Sequence, residues 1–419
     1  MQLSATHATD EIKLKAPFLE GEPDRLGVAV SGGGDSTALL HLLADWAKGS
    51  GCNLSAVTVD HGLRPEAADE AVYVADICEK LGVSHTTLKW RDWDRSGNLQ
   101  DQARRARYAL MADWAKANDI PVVALGHTQD DQAETFLMRL AREAGVDGLA
   151  GMHVSRLAEG VNWQRPLLHV GRQALRDYLD RRGVAWIDDP SNADITYDRI
   201  KARNALTALA PLGIDAATLG AVTSHLGDVL SVLEQQTEIS ARQFAVSDRG
   251  DVCFDSLGFN AQPAEIQRRL LVHAIKWVSS AEYGPRGRAL KDVQLAIAQE
   301  RNVTLHGCHV LVKKAGFRIT RELQAVRQMH CAADLIWDRR WHLSGPHGSG
   351  QHIAPLGEIG LKSCPHWRSV DLPRVSLLAS PAVWHGEALI AAPLAGFANG
   401  WAAELVNGAD HFFTSILSD

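Results

Sequence analysis

The chain has 419 residues, 46% of them hydrophobic and 22% charged, with a formal net charge of −7. That length exceeds what one core usually fills, so two or three domains are expected, and the acidic balance excludes a uniformly basic nucleic-acid coat. Six cysteines with no CxxC pair argue against a zinc or dithiol centre, and a polar N-terminus with no apolar run of membrane length predicts a cytoplasmic protein without membrane contact.

The first predicted strand, 26–30, runs into Ser31-Gly32-Gly33-Gly34-Asp35-Ser36 and then a helix over 36–48. Three consecutive glycines allow positive φ and close backbone approach. Ser31, Ser36 and the free N–H groups of the helix start can point toward an anion, so the loop reads as a polyphosphate site. A Walker A loop is excluded because no lysine occurs between Leu26 and Trp46, and a Rossmann fingerprint because the glycines are contiguous. Asp35 beside phosphates implies a bridging cation, most simply Mg²⁺.

Strands over 53–59, 84–89 and 121–125 then alternate with helices over 66–82, 100–118 and 129–142, the signature of a doubly wound parallel sheet. Ligands in such sheets sit outside the C-terminal ends of the strands. Asp60 and His61 follow the second strand and His127 the fourth; a lone histidine is ordinarily structural, and position is what raises these. On helix 100–118, Arg104 and Arg107 stand three apart, able to neutralise an α-phosphate or a developing charge, although an arginine-rich helix is more often a solvated face. Asp130, Asp131 and Glu134 open the next helix. Their spacing gives them one face, a carboxylate cluster for Mg²⁺ or an ammonium group beyond what N-capping needs.

After Gly151 come a turn at 164–168, a helix over Gly171–Arg182, a loop at 188–192 and a long helix over 216–244. Between Glu265 and Arg327 twelve Lys and Arg outnumber five Asp and Glu, a local +7 that reads as an RNA-facing surface or a solvated one. The remainder is rich in Gly, Pro and Trp, with a strand-like run at 375–378 between Pro373 and Pro381, and most of its tryptophans are expected in cores. The expected fold class is α/β: a doubly wound parallel-sheet nucleotide domain over 1–215, then a helical linker and basic domain over 216–330 and a C-terminal domain over 331–419, the last two smaller and α+β.

The Ser31-Gly32-Gly33-Gly34-Asp35-Ser36 segment resembles the pyrophosphate loop, or PP-loop, of ATP pyrophosphatases, which implies an ATP held by its β/γ-phosphates and attack at the α-phosphate. Five further segments follow in order: Val59 to Arg64; Ala103-Arg104 with Arg107-Tyr108; Gly126 to Thr135; Arg165 to Leu168; and Asp189 to Asn192 with Asp194, Asp198, Arg199 and Arg203. Together they resemble the tRNA(Ile)-lysidine synthetase family across about 25–205. The resemblance implies a PP-loop ATPase domain that ligates lysine to C2 of the wobble cytidine of tRNA(Ile) with a CAU anticodon, through an adenylated cytidine, giving lysidine, AMP and pyrophosphate. It implies catalytic roles for Asp35, His127, Asp130, Asp131, Glu134, Arg104 and Arg107. ATP would be bound by Ser31, Gly32, Gly33, Gly34, Asp35, Ser36, Asp60 and His61, and Mg²⁺ by Asp35 and Asp131. The partners implied are that tRNA and free lysine, with a homodimer as the candidate assembly. Thr128 stands where the family often has a second histidine, and Ile200 where it usually has asparagine. The alternative, a PP-loop tRNA thiolase, would need paired or cluster-binding cysteines near the nucleotide, for which Cys52 and Cys78 are poorly spaced.

Overall fold

The computed structural model describes residues 12–21, 23–62, 67–91, 99–188, 198–285 and 287–417. Leu63 and Arg64, Asp189 to Asn192 with Asp194, and Arg286 therefore lie outside the described residues. Contacts divide the chain into a first unit through Leu230 and a second from Ser231.

In the first unit a short helix, α1 (Phe18–Gly21), precedes β1 (Arg25–Ala29), α2 (Gly34–Ser50), β2 (Asn53–Asp60), α3 (Ala67–Leu81), β3 (Ser84–Lys89), α4 (Leu99–Ala117), β4 (Val122–Leu125) and α5 (Gln129–Leu140). Then come α6 (Val146–Leu149), β5 (Ser155–Ala158), β6 (Val161–Gln164), α7 (Arg172–Arg181) and α8 (Asp198–Leu209). The strands form one sheet in the order β3-β2-β1-β4-β6-β5, parallel except for β5, which pairs antiparallel with β6.

Period-two alternation in the strands gives the sheet two buried faces. Leu26, Val28, Leu54, Ala56, Val122 and Ala124 pack on α2 and α7, while Val57, Val123 and Leu125 pack on Met111 and Trp114 of α4. Leu26, Leu39, Leu40 and Leu43 are fully buried, each such side chain stabilising the fold by about 1.5–3 kcal/mol. The chain steps outward from β1 through β2 to β3, then returns to β4 on the other side of β1. The strand order therefore reverses between β1 and β4, the place where open α/β sheets bind ligands.

A long helix, α9 (Ala216–Phe244), follows. By length and composition alone α9, with 29 residues and an 18-residue window of mean hydropathy 1.3, is the one described helix that could cross a membrane. The apolarity comes from Ala, Val and Leu spread among Ser, Thr and His rather than from one continuous run, which is why it escapes inspection of the sequence. Its Leu219 packs with Ala133 and Phe136, and its Ala241 belongs to the second unit's core.

The second unit begins with β7 (Ala245–Asp248), β8 (Asp251–Asp255), α10 (Ser256–Asn260), α11 (Ala264–Ser279), α12 (Gly287–Ala298), β9 (Val303–Leu305), β10 (Cys308–Lys313) and β11 (Gly316–Arg321). These five strands form a sheet ordered β7-β8-β11-β10-β9, covered by Leu270, Leu271, Ile275, Leu290 and Val293 of α11 and α12. After α13 (Leu323–Val326), a four-stranded sheet joins β12 (Cys331–Ala332), β14 (Gln351–Pro355), β15 (Pro381–His385) and β16 (Ala388–Ala391). A separate pair joins β13 (Trp341–Ser344) and β17 (Ala402–Leu405). Trp337, Trp341, Trp384 and Trp401 are all buried, so these tryptophans fill cores as expected. The run at 375–378 is not a strand. It lies in a helical turn, Arg374–Leu378, whose N-cap is Pro373 and whose Leu377 and Leu378 are buried; four residues are too few to separate the two periods.

Candidate active site

The PP-loop occupies the turn from β1 into α2. Ser36 Oγ donates to the Gly33 carbonyl at 3.0 Å and accepts the Ser31 amide at 3.1 Å, while the two serine hydroxyls lie 3.1 Å apart. The Ile187 amide donates to the Gly32 carbonyl at 2.9 Å, bracing the loop from outside. Of the three glycines only Gly32 uses the freedom of positive φ, at 84°. Gly33 is the extended N-cap of α2 and Gly34 its first residue. Close approach is instead needed at Gly126, after β4, where a Cβ would stand 3.0 Å from Ser36 Cα and 3.1 Å from its amide nitrogen.

β4 delivers His127 and then α5. Thr128, in the place of the second histidine, is the N-cap of α5, and its capping box uses Asp131: Asp131 Oδ2 accepts from the Thr128 amide at 2.8 Å and from its hydroxyl at 3.0 Å. Capping thus consumes one oxygen of Asp131. The other, Oδ1, lies 3.4 Å from the Arg172 guanidinium, which also reaches Asp35 Oδ2 at 3.1 Å and Glu134 Oε1 at 3.4 Å. The Arg172 amide, at the N-terminus of α7, donates to Asp130 Oδ2 at 2.6 Å. Arg203 of α8 adds a second cation on Glu134 Oε1 at 2.9 Å, while Glu134 Oε2 is buried with no hydrogen-bond partner among the described residues. Asp35, Asp130, Asp131 and Glu134 therefore converge on Arg172, and Asp60, the fifth acid singled out in the sequence, does not.

Burial sets the electrostatics. It pushes the Asp35 carboxyl above its usual range, with Arg172 opposing and Asp131 and Asp130 adding to the rise. Burial acts the same way on Asp131, but His127, Arg199, Arg172 and the Thr128 amide outweigh it and hold that carboxyl low. Burial holds the His127 imidazole down at about 3, so it is neutral at physiological pH, and its Nδ1 has no partner among the described residues. Arg107 is pulled below its ordinary value by burial and acts electrostatically on His61 and His127. Arg104 is exposed; both guanidinium groups lie over the Tyr108 ring, at 5.4 and 6.0 Å from its centroid. Asp60 Oδ1 accepts from the Gly62 amide at 2.8 Å, and the His61 ring meets Trp90 edge-on at 6.1 Å. Neither Asp60 nor His61 contacts the acidic cluster through any described hydrogen bond or ion pair.

Among the described residues no three His, Cys, Asp or Glu side chains form a ready metal cage. Mg²⁺ bound with a triphosphate needs only one or two carboxylates, the phosphates and water supplying the rest. Asp35 and Asp131, hard oxygen donors beside the glycine loop, fit that requirement. The sequence reading missed the organising role of Arg172. A signal was present: a cation directly after Gly171 opens a predicted helix, against the preference of the helix dipole, and so calls for an anionic partner.

A glycine loop without a lysine, an acid within it and an acidic helix opposite, at the reversal point of a parallel sheet, define a PP-loop nucleotide-binding protein. The PP-loop domain profile matches residues 6–210. The chain is 50% identical to the tRNA(Ile)-lysidine synthase of Ruegeria pomeroyi over 97% of each chain, and 36% identical to that of Wolbachia pipientis wMel over 80% of each. It belongs to the tRNA(Ile)-lysidine synthase family.

Proposed function

We propose that this chain forms lysidine on tRNA(Ile) with a CAU anticodon, as a carbon–nitrogen ligase that uses ATP, Mg²⁺ and free lysine in the cytoplasm. Cytosine C2 is a poor electrophile, so activation comes first. Cytidine O2 attacks the α-phosphorus of ATP, and the bond to the β-phosphate breaks to release pyrophosphate. The lysine ε-amine then bonds to C2 and loses its proton, and the C2–O2 bond breaks with the oxygen leaving on AMP.

Ser31, Gly32, Gly33, Gly34 and Ser36 hold the departing pyrophosphate in this scheme, with Asp60 and His61 toward the nucleoside, and Asp35 and Asp131 hold Mg²⁺, which supplies counter-charge to the phosphates. Asp130 and Glu134 receive the ammonium group. His127, neutral and unpartnered at Nδ1, is a nearby acceptor too weak to hold the proton for long. Arg104 and Arg107 face the adenylated intermediate. The segments 216–330 and 331–419 are assigned to the rest of the tRNA.

What supports this reading above all is the meeting of Asp35 with Asp131 and Glu134 on one guanidinium, which makes the loop and the acidic helix parts of one site. Pyrophosphate release from ATP should require this tRNA, and product formation should require lysine as well. Asp35→Ala should lower turnover by about 10²–10³-fold. Turnover retained in that variant, or pyrophosphate released equally well without tRNA, would overturn the scheme.

A further inference from the structure

Arg172 stands where a divalent cation would have to act. Its Nε is 3.1 Å from Asp35 Oδ2 and another guanidinium nitrogen 3.4 Å from Asp131 Oδ1, both longer than the roughly 2.7–2.9 Å of a tight charge-assisted pair. A Mg²⁺ ion shared by those two acids would draw oxygens to about 2.0–2.1 Å from a common centre. The guanidinium and the ion cannot both lie between the same pair of oxygens. The backbone of Arg172 is fixed independently: its amide is held by Asp130, and Leu175 and Leu179, one and two turns on, are fully buried in the core. Any movement must therefore come from the side chain, which can leave Asp35 while staying near Glu134.

We propose that Arg172 is a positioning residue that takes the place of the divalent cation in the nucleotide-free chain, holding Asp35 to Asp131 and Glu134, and that a nucleotide-bound cation displaces it from Asp35. The inference rests on the reading of Asp35 and Asp131 as the metal ligands. Its consequence is an order of events. A free cation competes poorly with a tethered guanidinium, whereas a cation arriving on ATP brings phosphate oxygens to which Arg172 can turn. Metal and nucleotide then bind together, and the acids do not repel one another before they arrive.

The test uses the full chain with Mn²⁺ as probe, its binding read by the electron paramagnetic resonance of the free ion. Without nucleotide, Arg172→Gln should bind Mn²⁺ about tenfold more tightly than the unmodified chain, an ordinary coupling between competing ligands, while Arg172→Lys should stay close to it. With an ATP analogue blocked at the α–β bridge, the difference should shrink. A merely structural role for Arg172 would lower the melting temperature without raising Mn²⁺ affinity, so an affinity for Arg172→Gln equal to or below that of the unmodified chain overturns the proposal. Should that variant fail to fold, the unmodified chain still decides: the Arg172 Nε–H resonance should shift and exchange faster when Mg²⁺ and the analogue are added, and an unchanged resonance overturns the proposal. Failure of the underlying metal reading looks different. In that case Asp35→Asn would leave analogue-dependent Mn²⁺ binding intact, which sinks both.

Discussion

At the scale of single residues, the site depends on one position where a side chain would collide with backbone. Gly126 lies against the first turn of α2, and the nearest atoms to a Cβ there are backbone atoms of Ser36 and Asp35, at 3.0 to 3.3 Å. A flexible neighbour could move aside; this stretch of backbone cannot without shifting the PP-loop itself. Gly126→Ala should therefore raise the dissociation constant for ATP by about tenfold, with a stability loss of about 1–3 kcal/mol typical of overpacking, to be checked by titration calorimetry and thermal melts. Unaltered ATP affinity would mean that the loop has more slack than its contacts imply. The sequence exposed the chemistry of this region more clearly than its mechanics. Ser31 to Ser36 reads as an anion loop from composition and order alone, but positive φ is confined to Gly32, and the need for glycine at 126 arises from a strand 90 residues further along. Asp131 shows the same limit: spacing marks it as acidic and exposed to a ligand, while its second duty in the α5 capping box depends on the rotamer of Thr128.

At the scale of elements, the basic stretch from Glu265 to Arg327 divides into two kinds of charge. Arg318 pairs with Asp248 and Asp251, Arg321 with Asp338, and Arg268 and Arg269 with Glu265. Three of those acids, Asp248, Asp251 and Asp338, come from outside the stretch, so the local excess counted along the sequence overstates the charge available to a partner. Such internal pairs hold the second unit's sheet and its loops together. On α12, by contrast, Arg288 and Lys291 are exposed, one turn apart, with no ion pair among the described residues. Reversing both to glutamate should weaken tRNA binding and lower the slope of log K against log salt by about 1–2, the loss expected for two phosphate contacts, with ATP affinity unchanged. Filter binding across a salt series measures this, and an unaltered slope would remove α12 from the RNA surface. Arg318→Gln serves as the contrast, since its loss should appear in the melting temperature first. The long alternating segments of the first unit were legible because period and length agree over many residues. The helical turn at 374–378 was not, and the sequence shows α7 as a helix but not its role, since nothing local to Arg172 names Asp35, 137 residues earlier, as its partner.

For the whole molecule, burial shifts titrating groups in opposite directions and so bounds the pH range of stability. His41, His85 and His153, all in the first unit, are held below the ordinary histidine value of 6.5 by burial. The folded chain keeps them neutral while the unfolded chain takes up protons, so the stability they contribute is present above pH 6.5 and drains away as pH falls through their lowered values. Thiols act at the other limit. Burial raises Cys78 and Cys253 to about 11 and Cys308 to about 12, from an ordinary value of 9.0. Their contribution is complete below pH 9 and is lost as pH climbs toward those values, because only the unfolded chain releases the proton. Each unmatched proton tilts stability by up to about 1.4 kcal/mol per pH unit. Calorimetric melts should therefore show a plateau between about pH 7 and 9 with declines on both sides, the histidine part of the acid decline falling on the first unit and the thiol part of the alkaline one on both. Cys308 is fully buried in the second unit's core and is the most strongly raised of these thiols. Cys308→Ala should make the alkaline decline of that unit shallower by up to one proton while lowering the plateau slightly through the cavity it leaves. An alkaline slope identical to that of the unmodified chain would show that the buried thiol is not what limits stability there.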